Sequence, residues 1–269
     1  MGGNQDVVLA RLDGVAATAR TVSLSSVAAA GLPATVTVPA GVVYGAVAFT
    51  PQGVDSTVAA TVTATHNAVV RTTSLTINPA NLLTFYFTPA TIAGGNNVAG
   101  VVRLDGFAGP GGRVVTLSSP SANVVVPATS TVASQTTAKS FTVTTLGVGS
   151  TTPVTCSATA GAVVKNATET LTRAVVQYAQ PSTTTPTGGT SFTVTVRLTG
   201  KAGPGGTTFT LSDNSAFAST PASATVPAGQ LAVAFTVTTS PVGANTPVTI
   251  TCVGPAGVGT AAANVTLTP

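Results

Sequence analysis

Val101-Val102-Arg103-Leu104-Asp105-Gly106 is the middle member of three related blocks. The others are Leu9-Ala10-Arg11-Leu12-Asp13-Gly14 and Thr195-Val196-Arg197-Leu198-Thr199-Gly200, so that Arg11, Arg103 and Arg197 stand 92 and 94 residues apart. A period of that size is a domain, longer than the roughly 20 to 50 residues of a solenoid repeat. A Gly-Gly pair precedes each block at the same offset, as Gly2-Gly3, Gly94-Gly95 and Gly188-Gly189. Ahead of the second and third pairs lie strand-like segments, Leu82-Leu83-Thr84-Phe85-Tyr86-Phe87 and Ala174-Val175-Val176-Gln177-Tyr178; ahead of the first stands only Met1. The repeat divides the chain into modules 1–79, 80–173 and 174–269, and the first is expected to lack its first strand.

Alternation sets the faces. In the last module Val194, Val196 and Leu198 share one side of a strand, and Thr193, Thr195 and Arg197 share the other, the pattern of a half-buried antiparallel strand. Val8, Ala10 and Leu12 obey it in the first module. The middle module reads as seven such strands: Leu82 to Thr88, Val98 to Leu104, Arg113 to Ser118, Asn123 to Val132, Lys139 to Thr145, Pro153 to Thr159 and Val163 to Leu171. Ala108-Gly109-Pro110-Gly111-Gly112 and Ala202-Gly203-Pro204-Gly205-Gly206 supply turn chemistry between the second and third strands, where Gly and Pro take dihedrals that other residues resist. Capped helical periodicity occurs nowhere. The expected fold is all-β: three tandem immunoglobulin-like antiparallel sandwiches, strung as beads, with Leu12, Phe49, Leu104, Phe141, Leu198 and Phe235 in their cores.

Charged residues are 6% of the 269, against about a quarter in an average soluble domain. The formal charge of +4 comes from ten basic residues set against six acidic ones. No Lys/Arg cluster offers a nucleic-acid footprint, and no apolar run is long enough for membrane insertion by a helix. Solubility resting on hydroxyls instead of charge points to an extracellular or assembled protein.

The order Pro-x-Thr-x-x-Gly-Gly, Val-x-Leu-x-Gly, Thr-Leu-Ser-(Ser/Asp), Ala-Thr-Val-Pro-Ala-Gly, Ala-Phe-Thr-Val-Thr-Thr and Thr-Pro-Val-Thr-Ile-Thr resembles the tandem immunoglobulin-like repeats of bacterial surface and secreted proteins. The resemblance covers almost the whole chain. It implies a stalk, adhesin or fibre module, and it carries over no catalytic residue.

Chemistry is sparse. One His, one Glu and five Asp are spread over the three modules, too few for a paired acid and base or a metal site, so no enzyme activity and no cofactor are expected. His66 falls at a predicted turn. Asp6, Asp13, Asp55, Asp105 and Asp213 are isolated, unlike the Asp-rich loops of calcium modules. Cys156 and Cys252 lie in different modules, on strand parities that predict buried thiols. The sequons at Asn166 and Asn264 are expected by chance in a Thr-rich chain.

Two substitutions stand out. Lys139 takes the place filled by Val47 and Val233, and Glu169 aligns with Leu75 and Val265, both at inward parity. Three readings fit: strand-end side chains reaching water, a buried ion pair, or an isopeptide crosslink with Asn123 or Asn166 as acceptor. The crosslink would remove about 17 Da as ammonia.

A sandwich without its edge strand exposes backbone and core, which invites pairing. The expected assembly edge is Gly2, Gly3, Val8, Ala10 and Leu12. The expected partners are further copies, head to tail or side by side, or neighbouring repeats of a longer chain. The expected role is that of a non-catalytic extracellular subunit or segment of a filament, sheath or adhesive stalk. Alternatives are an accessory glycan- or protein-binding module of a secreted enzyme and a phage or virion decoration protein.

Overall fold

The computed structural model describes residues 2–269, and every regular element among them is a strand. The first module holds β1 (Asp6–Arg11), β2 (Arg20–Ser26), β3 (Thr35–Val38), β4 (Tyr44–Phe49), β5 (Val58–His66) and β6 (Val69–Ile77). The middle module holds β7 (Leu82–Thr88), β8 (Thr91–Ala93), β9 (Val98–Leu104), β10 (Arg113–Ser118), β11 (Val124–Val125), β12 (Thr129–Val132), β13 (Ala138–Thr145), β14 (Thr152–Ala160) and β15 (Val163–Thr172). The last holds β16 (Val176–Pro181), β17 (Phe192–Leu198), β18 (Thr207–Asp213), β19 (Ala218–Ser219), β20 (Ser223–Val226), β21 (Ala232–Thr239), β22 (Thr246–Val253) and β23 (Thr260–Leu267).

In the middle module the sheet β7-β9-β13-β11 faces the sheet β8-β15-β14-β10-β12, and the last module repeats this with β16-β17-β21-β19 facing β23-β22-β18-β20. Ladders are antiparallel except where β8 runs parallel to β15, so the chain begins in one sheet and crosses to the edge of the other. This order defines tandem immunoglobulin-like sandwiches. One stretch read as a single strand, Asn123 to Val132, is two: β11 joins β13 in one sheet and β12 joins β10 in the other. Pro127, lacking a backbone donor, falls between them.

Alternation delivers most of the expected cores: Phe49, Leu104, Leu198 and Phe235 are buried, while Leu12 and Phe141 are half-buried against them. In β17 Phe192, Val194, Val196 and Leu198 are buried. The middle core runs from Ala80 to Leu171 and the last from Ala174 to Leu267, each as one continuous cluster. The first module differs. Its apolar residues form two smaller groups, one around Val22 and Val38 and one around Phe49 and Ile77. One of its sheets has only two strands, β1-β4, opposite the four of β3-β2-β5-β6.

The β5–β6 hairpin of the first module closes on Asn67 and Ala68, both at positive φ, 46° and 62°. Such turns match the strand twist, but they suit Asn-Gly better than Asn-Ala because a Cβ crowds the following carbonyl. Ala68→Gly should therefore stabilise the first module by about 1 kcal/mol, read as a rise of a few degrees in its calorimetric transition while the other two modules stay unchanged.

Candidate functional site

Three places carry something beyond generic sandwich packing: the open side of the first module, the joints between modules, and Glu169.

The open side comes from a missing neighbour. In the middle module β7 pairs with the outer edge of β9, and in the last β16 pairs with β17. Among the described residues no strand pairs with the corresponding edge of β1. Leu9 is 68% exposed. The loss reaches the other sheet: Val69, Arg71 and Thr73 of β6 are exposed, whereas their counterparts Val163, Lys165 and Ala167 on β15 are half-buried. Between the two sheets lies a groove of about 480 Å³ whose floor includes Val8, Ala10, Leu12, Val62 and Ala64, with His66 and Arg71 also lining it. His66 is held by its Nδ1, 2.9 Å from the Thr21 carbonyl oxygen.

Of the expected assembly edge, the structure brings Val8, Ala10 and Leu12 together in this groove. Gly2 and Gly3 are elsewhere. Gly2 is buried against Gln52 and Gly53, and its carbonyl accepts from the Phe107 N–H of the middle module at 2.8 Å. Gly3 donates to the Pro51 carbonyl, and a side chain on it would strike Phe107. The Gly-Gly pair adjoins the edge strand β1 in sequence; in space it belongs to a joint.

That joint occurs twice. The Lys201 N–H donates to the Gly94 carbonyl at 2.9 Å, as Phe107 does to Gly2. A Cβ on Gly53 would run into the Phe107 and Ala108 carbonyls, and one on Gly147 into those of Lys201 and Ala202. Gly109 and Gly203 face the same constraint from the other side, against Val54–Asp55 and Val148–Gly149. Side chains lock each joint further. Asp55 accepts from the Gly111 N–H at 3.1 and 3.2 Å, Gln135 accepts from the Gly53 N–H at 3.1 Å, and Asn96 donates to the Thr199 carbonyl at 2.9 Å. The glycines permit backbone-to-backbone contact that no side chain could share.

Glu169 and Lys139 do not meet. Glu169 is fully buried on the inner face of β15, and neither carboxylate oxygen has a hydrogen-bond partner. The ladders make it equivalent to Leu75 and Val265, since Val154, Ala60 and Val248 stand opposite the three. Lys139 is exposed. It has inward parity but stands second in β13, opposite Val102, near enough to the strand's start for a long stem to reach water. Its counterpart in the first module is Gly45, opposite Ala10, and not Val47, because that module is two residues shorter between these strands. Asn166 is exposed on the outer face of β15, opposite in parity to Glu169.

Burial pushes the Glu169 carboxyl up from its ordinary 4.5 to about 7. Cys156 and Cys252 are fully buried, free thiols. Burial also raises both, Cys252 to about 11; the Ser119 hydroxyl opposes the shift at Cys156 and the nearby Glu169 adds to it. Among the described residues no group of three metal-ligating side chains exists. The exposed aromatics Tyr44, Tyr86, Tyr178 and Phe217 are scattered over the three modules and make no common platform.

No family model and no curated protein matches the chain. Solved structures resemble it at low identity. Invasin, described as a bacterial integrin-binding protein, is 15% identical with a TM-score of 0.41, covering 99% of this chain and 60% of that one. The Escherichia coli adhesin FdeC is 12% identical with a TM-score of 0.36, covering 98% of each chain. An endo-fucoidan hydrolase of glycoside hydrolase family 107 is 11% identical with a TM-score of 0.35, over 99% of this chain and 42% of that one.

Because the folded state holds Glu169 neutral, it binds more protons than the unfolded chain between pH 4.5 and about 7. The middle module should keep this contribution below pH 4.5 and lose it as pH rises through 7, its melting temperature falling by several degrees from pH 5 to pH 8. Glu169→Leu should remove that dependence and raise stability at pH 8; a pH-independent wild-type transition in the calorimeter would contradict it.

Proposed function

We propose that the chain is a non-catalytic spacer of an extracellular or cell-surface structure, a subunit or segment of a filament, sheath or adhesive stalk. The observation that carries this reading is the glycine joint. Nature uses flexible linkers where modules must move independently. Here the same backbone hydrogen bond and the same side-chain-free contacts recur at both junctions, an arrangement suited to transmitting force and holding an angle.

The outer faces support it. They are laced by cross-strand hydroxyl and amide pairs, Thr155 to Thr168 at 2.8 Å, Thr208 to Thr225 at 2.9 Å and Thr249 to Asn264 at 2.9 Å, in place of ion pairs. Such faces lose less on desolvation than charged ones when packed side by side.

Assembly through the poles would need a different joint. Where the internal contacts require Gly109 and Gly203, the first module has Ala17; where they require Gly53 and Gly147, the last has Pro241. Both place side chains in the path of the opposing backbone. We therefore favour completion of the first module by a strand from a neighbouring repeat over simple stacking of copies end to end.

Spin labels on Thr144→Cys and Thr225→Cys, both exposed in the parent, test the rigid joint. The native distance distribution should be narrow. Gly147→Val should broaden it while each module melts as before, and Gly149→Val, which has open space around its Cβ position, should not. A native distribution as broad as that of the Gly147 variant would sink the spacer reading.

A further inference from the structure

We propose that the groove of the first module is a receptor for an extended strand of the repeat's own first-strand type, presented by a neighbouring repeat, and that Asp13 clamps the strand's leading residue. The inference rests on the reading of the chain as part of an assembly of like repeats. It also names the occupant and its register.

The occupant is defined by the two modules that have it. In the middle module Leu82, Phe85 and Phe87 of β7 are buried, and they stand opposite Leu104, Val102 and Gly100 of β9. The equivalents in the first module are Leu12, just after β1, and Ala10 and Val8 on it, all lining the open groove. Ala10 is smaller than Val102 or the Val196 of the last module, leaving more depth at the centre. A strand laid antiparallel on β1 would satisfy its free backbone edge and cover the exposed inner face of β6 in one step.

A second feature, independent of the apolar lining, marks where that strand begins. In the middle module Asp105 accepts from the Asn81 N–H through Oδ1 at 2.7 Å, and its own N–H donates to the Asn81 carbonyl at 3.0 Å. In the last module Thr199 makes the same reciprocal pair with Val175, its hydroxyl accepting at 3.1 Å and its N–H donating at 2.8 Å. These residues precede β7 and β16 directly. The equivalent residue of the first module is Asp13, exposed two residues after β1, and among the described residues no strand stands opposite it. It has the acceptor and the donor that the other two modules use to seat a first strand. The register follows: the leading residue lies at Asp13, and apolar side chains spaced as in Leu82, Phe85 and Phe87 point into the groove.

The probe is a fluorescent peptide with the sequence of Asn81–Thr88, titrated into the full chain and followed by anisotropy and hydrogen exchange. Saturable one-to-one binding with protection of the 6–11 amides is expected. Replacing the peptide's Leu82, Phe85 and Phe87 by Ser should abolish it. Asp13→Ala should weaken binding roughly tenfold or more, the loss of a charge-assisted hydrogen bond, and Asp13→Thr should restore part of it, as Thr199 does that task in the last module. Absence of saturable binding would overturn the proposal, as would equal affinity for the Asp13→Ala variant. So would protection of β1 that grows with chain concentration and ignores the peptide, which would mark two copies pairing edge to edge. The spin-label measurement on the other two modules does not depend on the peptide, so failure here leaves the spacer reading separately testable.

Discussion

Each sandwich depends on its first strand doing two jobs. It pairs with the second strand along one sheet, and its inward side chains cover the inner face of the last strand in the opposite sheet. In the middle and last modules both jobs are done, and the core is a single cluster. In the first module neither is done by the described residues, and the core falls into two parts. One missing ladder accounts for the exposed edge of β1, the uncovered face of β6, the groove between them and the unused Asp13. A strand filling the groove would bury its apolar lining, at about 25 cal/mol per Å² of apolar surface, and pair the free edge of β1.

The joints show the opposite use of the same backbone chemistry. There backbone groups at the poles of adjacent sandwiches meet each other through glycine, so the modules are coupled by main-chain contacts to which Asp55, Gln135 and Asn96 add side-chain hydrogen bonds. A chain with few charges and many hydroxyls suits this construction, since its surfaces can approach closely without stranding ions. Glu169 is the exception. A lone carboxyl stands in the middle core where the other modules have an aliphatic residue, and burial raises it to about 7, so that it is mostly protonated only below that pH. Its partners in position, Leu75 and Val265, show that the fold does not need it.

A large part of this was legible in the sequence. The repeat, the strand parities, the sandwich class and the burial of both cysteines all follow from a period of two within strands and a period near ninety between them. Inward parity correctly placed Val8, Ala10, Leu12 and Glu169. It misled at Lys139 because parity states which face a residue is on and not how near the strand's end it lies, and a four-carbon stem at an end reaches water. The match of Lys139 to Val47 carried one spacing through a module that is two residues shorter; only the ladder, which puts Gly45 opposite Ala10, reveals the slip. Splitting Asn123 to Val132 into two strands of different sheets was likewise invisible, since both halves alternate alike.

The sequence by itself determined what is local and periodic: three modules of alternating strands, their turns, their apolar inner faces and their hydroxyl-rich outer ones. Tertiary structure decided what depends on contacts between segments distant along the chain. It turned Gly2 and Gly3 from an apparent edge into a joint and kept Lys139 and Glu169 apart. It also left Asp13, the counterpart of Asp105 and Thr199, exposed. The physical reason is that alternation fixes the direction of each side chain, whereas burial, partnership and vacancy are set by whichever backbone lies opposite, and that is known only when the sheets are assembled.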